Sequence, residues 1–330
     1  MLRNPEVEAV AVVVPDLLHR QPAVDAAKAG KHLLVEKPLA TTVEDAEAIV
    51  KAAKDAGVKL MVDFHNRWNP PFAAAKDAIE KGELGSPLLL YMRHSNSVKV
   101  PTEMLTWLAK SSSIVYWLGS HSVDLVRWMV GDEVEQVYSV SRSRVLPSKG
   151  FNNEDFFTSI LEFRRGAVAT VENGWILPNT LPVGGDFVAE IVGEKGSMRI
   201  TIVGNNCIDK ATETSYIQPD VLVFPTVHGK SKGFAGESIV HFIECIAENK
   251  QPMATGEDGL AVTKILSAIR DSARTKRIVR LLLAGAMLYV IFDEMVPESH
   301  SHGFERVATA SFMIGSLSMI INYLVSVIFL

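Results

Sequence analysis

The chain has 330 residues, with 33 Lys plus Arg against 38 Asp plus Glu and a formal net charge of -5. One hydrophobic core rarely grows beyond about 250–300 residues, so two domains are expected. A mildly acidic chain with no long basic run excludes a nucleic-acid binder that tracks phosphate with a positive face, and leaves small molecules as partners.

Residues 1–5 lack the apolar stretch of a secretory signal, so none is expected. The valine and alanine run 7–14 predicts a strand buried on both faces of a parallel sheet. Residues 19–30 predict a short helix closed by Gly30, and 31–36 the next buried strand. Thr41 and Glu44 have capping-box spacing ahead of a helix that Gly57 ends, and 60–64 supplies a third strand. Strands alternating with helices of this length imply right-handed βαβ units.

After Pro87 the rhythm changes. Residues 88–93 predict a strand and 114–130 a helix; 137–141, 156–163, 168–176 and 187–200 predict strand runs joined by turns such as Arg165-Gly166. Successive strands without helices indicate a mostly antiparallel sheet and an α+β second domain. Helices at 238–248 and 260–274 follow. Cys207 and Cys245 are far apart and lack a second ligand pair, so two reduced thiols are expected rather than a disulfide or a cysteine zinc site. From 307 to 330 there is no charged residue, a length that suffices to cross a bilayer at roughly 20 apolar residues.

Two positions carry chemistry. Glu36-Lys37-Pro38 stands where a buried parallel strand ends, and open α/β sheets bind ligands at the carboxyl ends of their strands. A lysine partly desolvated there loses its proton readily; by position alone it is equally a solvated loop residue. His121 and Asp124, three apart in a helix, share one face, and a histidine moves protons near neutral pH. A lone helix histidine is also common as packing.

These segments together resemble the Gfo/Idh/MocA family of oxidoreductases. The resemblance runs from about 2 to 281 and rests on 14–19 (VPDLLH), 23–38 (AVDAAKAGKHLLVEKP), Asn66-Arg67-Trp68 and 119–131 (GSHSVDLVRWMVG). It implies a dinucleotide-binding Rossmann-like domain over 1–86 and an open, mostly antiparallel sheet domain for substrate and oligomerisation over 87–281. It implies hydride transfer between a sugar or polyol hydroxyl and NAD or NADP, with Lys37 and His121 catalytic. Pro15, His19, Glu36, Lys37 and Pro38 would border the cofactor, with the Lys37-Pro38 bond often cis. Arg67, Trp117 and Asp124 would shape the substrate site, and Trp68 is a further candidate wall. The resemblance also implies a cytoplasmic catalytic part and a homo-oligomer. A cofactor-assisted glycoside hydrolase or lyase of the same superfamily is the alternative chemistry.

The sequence departs from that family in three places. Trp117 stands where many members carry an aspartate four residues before the histidine. No G-x-G-x-x-G occurs, so the doubly wound sheet is expected to be truncated, without the glycine turn and the acidic ribose reader, and activity to be impaired. Residues 282–330 resemble the last two transmembrane helices of ZIP-type metal transporters, which makes the tail a candidate for membrane contact. There Glu294 and Glu298 share a helical face, with His300 and His302 beyond, as weak metal ligands that lack a partner helix. A non-catalytic, membrane-tethered fusion product is the remaining alternative.

Overall fold

A computed structural model describes residues 1–181, 185–203, 210–211, 213–214, 216–217, 221–223 and 225–281. Residues 1–281 make one compact unit. The apolar runs at the front pair as expected: β1 (Ala9–Val12), β2 (His32–Val35) and β3 (Leu60–Val62) form a parallel sheet in that order. Val12, Leu33, Val35, Met61 and Val62 are buried, because helices cover the sheet. α1 (Arg20–Lys28) lays Ala23, Ala26 and Ala27 inward, and α2 (Val43–Ala56) lays Ala46, Ile49 and Ala53. The cap of α2 lies one residue later than the spacing implied. Thr42, extended at φ -128°, accepts a hydrogen bond from the Asp45 backbone N–H, so Thr42 and Asp45 take the places expected of Thr41 and Glu44.

A helix that the apolar pattern did not reveal, α3 (Pro70–Glu80), starts after Asn69 with proline in its first turn, where the missing N–H costs nothing. β4 (Pro87–Ser97) then opens the second sheet. The expected helix 114–130 is broken at Leu118: α4 (Thr106–Ser111) and α5 (Ile114–Trp117) precede α6 (Gly119–Val130), whose chain is stopped by Gly131 at φ 64°. β5 (Val134–Arg142), the short α7 (Val145–Ser148), β6 (Phe156–Phe163), β7 (Val168–Leu177), β8 (Gly185–Gly193) and β9 (Ser197–Val203) follow. Two small ribbons pair β10 (Lys210–Ala211) with β11 (Tyr216–Ile217) and β12 (Thr226–Val227) with β13 (Lys230–Ser231). α8 (Phe234–Ala247), α9 (Gly256–Thr275) and β14 (Val279–Arg280) close the unit.

The second sheet runs β14-β5-β6-β7-β4-β8-β9. It is mixed rather than purely antiparallel: β4 lies parallel to β7, because the helices between β4 and β5 carry the chain across before the meander β5-β6-β7 returns to it. Register explains the two faces. Val137, Leu161, Ala169, Leu90 and Ile191 align across five strands and are all buried. One residue along, Tyr138, Ile160, Thr170, Tyr91 and Glu190 align on the other face, where Tyr138 and Ile160 are exposed.

α9 ties the two sheets together. Its first turn is a capping box: the Thr255 side chain accepts from Asp258 N–H, and the Asp258 carboxylate accepts from Thr255 N–H at 3.0 Å. Gly256 and Gly259 let it approach β3 closely, since a Cβ on either would come 2.4 Å from Leu60 Cδ2 or 2.6 Å from Val62 Cγ2.

Among the described residues no helix is long and apolar enough to cross a membrane, and no group of three metal-ligating side chains occurs. The tail expected from sequence to form two apolar helices, with Glu294, Glu298, His300 and His302, and also Cys207, lies outside the described residues.

Candidate active site

The three parallel strands end on one side, and the segments leaving them meet α5 and α6 there. They enclose a cavity of about 430 Å³ whose lining includes Pro15, His19, Glu36, Lys37, Trp117 and His121. Six positions singled out from sequence therefore meet in one crevice. Lys37 leaves β2 and is only 7% exposed. Its Nζ donates to the Trp117 carbonyl oxygen at 2.9 Å and lies 3.9 Å from the centre of the Trp117 ring. Burial pulls the ammonium down from its ordinary 10.5 to about 8, with Glu36, Asp16 and Asp63 resisting. Where a carboxylate was expected in the family pattern, the backbone oxygen and ring face of Trp117 hold the lysine instead.

The Lys37-Pro38 peptide is cis. Pro38, expected to border the cofactor, is not among the residues lining the cavity; its carbonyl lies 2.9 Å from His19 Nδ1, while His19 Nε2 lies 2.9 Å from the Val14 carbonyl. His19 thus clamps the loop after β1 to the loop after β2. Asp16, on the short turn Asp16–Leu18, accepts from the Ser112 hydroxyl just after α4.

His121 enters the cavity from α6. Burial first, then Lys37, His65 and His94, push its pKa well below the usual 6.5, so the ring is neutral. Its Nδ1 lies 3.1 Å from Asn66 Nδ2, and its ring meets the His65 ring edge-on at 4.9 Å between centres. His94 on β4 stacks flat on Phe187 at 4.0 Å, and burial lowers it to about 3.

Arg67 and Asp124 do not line this cavity. Arg67 is 3% exposed and is spent on Asp124, with Nε donating to Oδ2 at 3.0 Å and Nη2 to Oδ1 at 2.6 Å. Its Nη1 reaches Asp258 at 3.3 Å, and Arg127 donates to the other Asp258 oxygen. Burial alone would lower the Arg67 pKa, but the two carboxylates raise it. These residues brace α6 against α9 and the turn after β3. Trp68 faces His241 at 5.1 Å rather than the crevice.

Sequence reasoning missed His65, Asn66 and His94. His65 was findable: it follows the carboxyl end of β3 just as Lys37 follows that of β2. His94 gave no local signal, because its place beside His121 depends on the register of β4.

The donor set suits the nicotinamide and ribose end of a dinucleotide. Val13, Val14, Leu108 and Trp117 offer apolar walls, with Lys37 and His121 at the polar end. The G-x-G-x-x-G motif that would cradle the pyrophosphate does not occur in the 330-residue sequence.

Residues 1–64 match the family description "Oxidoreductase family, NAD-binding Rossmann fold", and residues 76–281 match "Oxidoreductase family, C-terminal alpha/beta domain". Neither match enters residues 282–330, and the ZIP-like resemblance of that tail is not supported. The scyllo-inositol 2-dehydrogenase (NAD(+)) of Bacillus subtilis (strain 168) is 28% identical over 282 residues, covering 85% of this chain and 80% of its own. The crystal structure of a probable dehydrogenase from Thermotoga maritima superposes with a TM-score of 0.71 at 25% identity, covering 84% of this chain and 82% of that one. An aldose-aldose oxidoreductase from Caulobacter crescentus, complexed with glycerol, superposes with a TM-score of 0.69 at 27% identity over 85% of this chain and 81% of that one. The chain therefore belongs to the Gfo/Idh/MocA oxidoreductase family and is an enzyme of that class.

Proposed function

We propose that this chain oxidises a secondary hydroxyl of a sugar or polyol, with NAD or NADP as the hydride acceptor. The observation that carries the reading is the meeting of Lys37 and His121 in one crevice at the carboxyl ends of the parallel strands. Val13, Val14 and Pro15 would hold the nicotinamide, which when bound would accept the hydride. Lys37 Nζ, with a pKa of about 8, takes the hydroxyl proton when neutral and returns it in the reverse direction. The Trp117 carbonyl keeps that nitrogen in place through one of its hydrogens. His121, held neutral by burial, binds the same substrate oxygen from α6. The inositol and aldose relatives support a polyhydroxylated substrate. The exposed row of Tyr138 and Ile160, together with Leu89 and Val192 on the same face, supports self-association through the second sheet.

The test mixes the purified full chain with NAD⁺ or NADP⁺ and a panel of inositols, aldoses and anhydro sugars, and follows reduced-nicotinamide absorbance. Activity on at least one compound is expected, falling about 10²- to 10⁴-fold in Lys37→Met and in His121→Ala. A folded chain silent across the panel with both cofactors overturns the reading.

A further inference from the structure

We infer that Asn66 is a positioning residue that sets the tautomer of His121, keeping the ring proton on Nε2 so that the imidazole meets the substrate oxygen as a hydrogen-bond donor. The catalytic consequence rests on the function proposed above; the tautomer itself does not.

The inference starts from where Asn66 sits. It lies in the turn His65–Trp68 directly after β3 and is buried, as is Asn69. The Asn69 backbone N–H bonds to the Asn66 carbonyl at 3.2 Å, which closes the turn and brings the two side-chain amides together. Asn69 Nδ2 donates to Asn66 Oδ1 at 3.4 Å, so the oxygen of Asn66 is engaged and its Nδ2 is left to face His121 Nδ1 at 3.1 Å. An amide nitrogen only donates, so Nδ1 accepts. A neutral imidazole has one proton, and an accepting Nδ1 leaves that proton on Nε2. Neutrality follows from burial and from Lys37, His65 and His94 around the ring.

The consequence is a division of labour. An imidazole with its proton on Nε2 cannot take a proton through that nitrogen, but it can donate to an alcohol oxygen as negative charge builds there. Proton movement then falls to Lys37, and His121 stabilises the oxygen. Asn66 touches neither reacting atom and acts through the ring it orients.

Long-range ¹H–¹⁵N correlation spectra of the ligand-free full chain at pH 7 read the tautomer directly, with His121 assigned by its loss in His121→Gln. Wild type is expected to show a protonated Nε2 and a bare Nδ1. Asn66→Asp, whose carboxylate accepts from Nδ1–H, is expected to move the proton to Nδ1. Asn66→Ala is expected to give a mixture. In turnover, Asn66→Asp should lower kcat by about 100-fold with little change in KM, as wrong-tautomer histidines do. A wild-type His121 protonated on Nδ1, the pattern expected if both amides were turned over, overturns the proposal, as does an unchanged spectrum in Asn66→Ala. The wild-type spectrum decides even if a variant fails to fold. The expected tautomer in a chain without redox activity would remove the proposed function and leave the role of Asn66 standing.

Discussion

Two buried cations sit close to α6, and they behave in opposite ways. Arg67 is met by two carboxylates, Asp124 bidentately and Asp258 more loosely, and is held more firmly charged than usual. Lys37 is met by a carbonyl oxygen and the face of an indole, with its carboxylates at longer range, and burial lowers it to about 8. Burial alone therefore does not make a reactive group. The partner decides: a bidentate carboxylate turns a desolvated cation into a brace, whereas a neutral dipole leaves it able to exchange a proton.

The brace should break hardest. Asp124→Ala leaves Arg67 with half its partners and is expected to lower unfolding free energy by about 3–5 kcal/mol in denaturant melts, whereas Arg67→Met combined with Asp124→Leu should cost much less than either single change. If the double variant is the least stable of the three, the contrast between the two cations is lost. Lys37 predicts the reverse sign. Its fall from 10.5 to about 8 corresponds to about 3 kcal/mol of destabilisation. The unfolded lysine keeps its proton up to 10.5 and the folded one only up to about 8, so this cost is full below pH 8 and disappears as pH rises from there to 10.5. Lys37→Met should thus stabilise the fold by about 3 kcal/mol at pH 7 while lowering turnover about 10²- to 10⁴-fold, with the stability gain shrinking at pH 10.

Finer changes sharpen the same contrast. Oxidative kcat/KM should rise as pH passes through about 8, as neutral Lys37 accumulates, and carbonyl reduction should decline over the same range. Trp117→Leu keeps the backbone oxygen but removes the ring, which favours the charged amine by about 0.5–1 kcal/mol. Its pH midpoint should move below that of wild type by about half a pH unit; an upward move would mean that the ring acts mainly by excluding water.

Much of this was legible in the chain. Lys37 was found because a strand end is a local feature, readable from an apolar run followed by Glu36-Lys37-Pro38. His121 was found because Gly119–Val130 carries its own helix signals up to Gly131. What failed to show was whatever depends on distant segments meeting. Arg67 and Asp124 are 57 positions apart, and only the fold reveals that they satisfy each other behind the crevice rather than within it. Asn66 stood in a quoted motif, yet its aim at His121 follows from the turn after β3. The parallel pairing of β4 with β7 was equally hidden, since one strand's alternation does not specify its neighbour. The helix α3 was missed for a different reason, as its proline start reads like a loop until Asn69 is recognised as its boundary.

The close seat of α9 reaches further than packing. With Gly259 pressed on Val62 and Leu39, the helix fixes how far β3 can slide, and the turn bearing His65 and Asn66 hangs from the end of that strand. A single methyl group introduced by Gly259→Ala would act as a wedge, and the shim it inserts would be felt at the imidazole of His121 as a lengthened reach from Asn66.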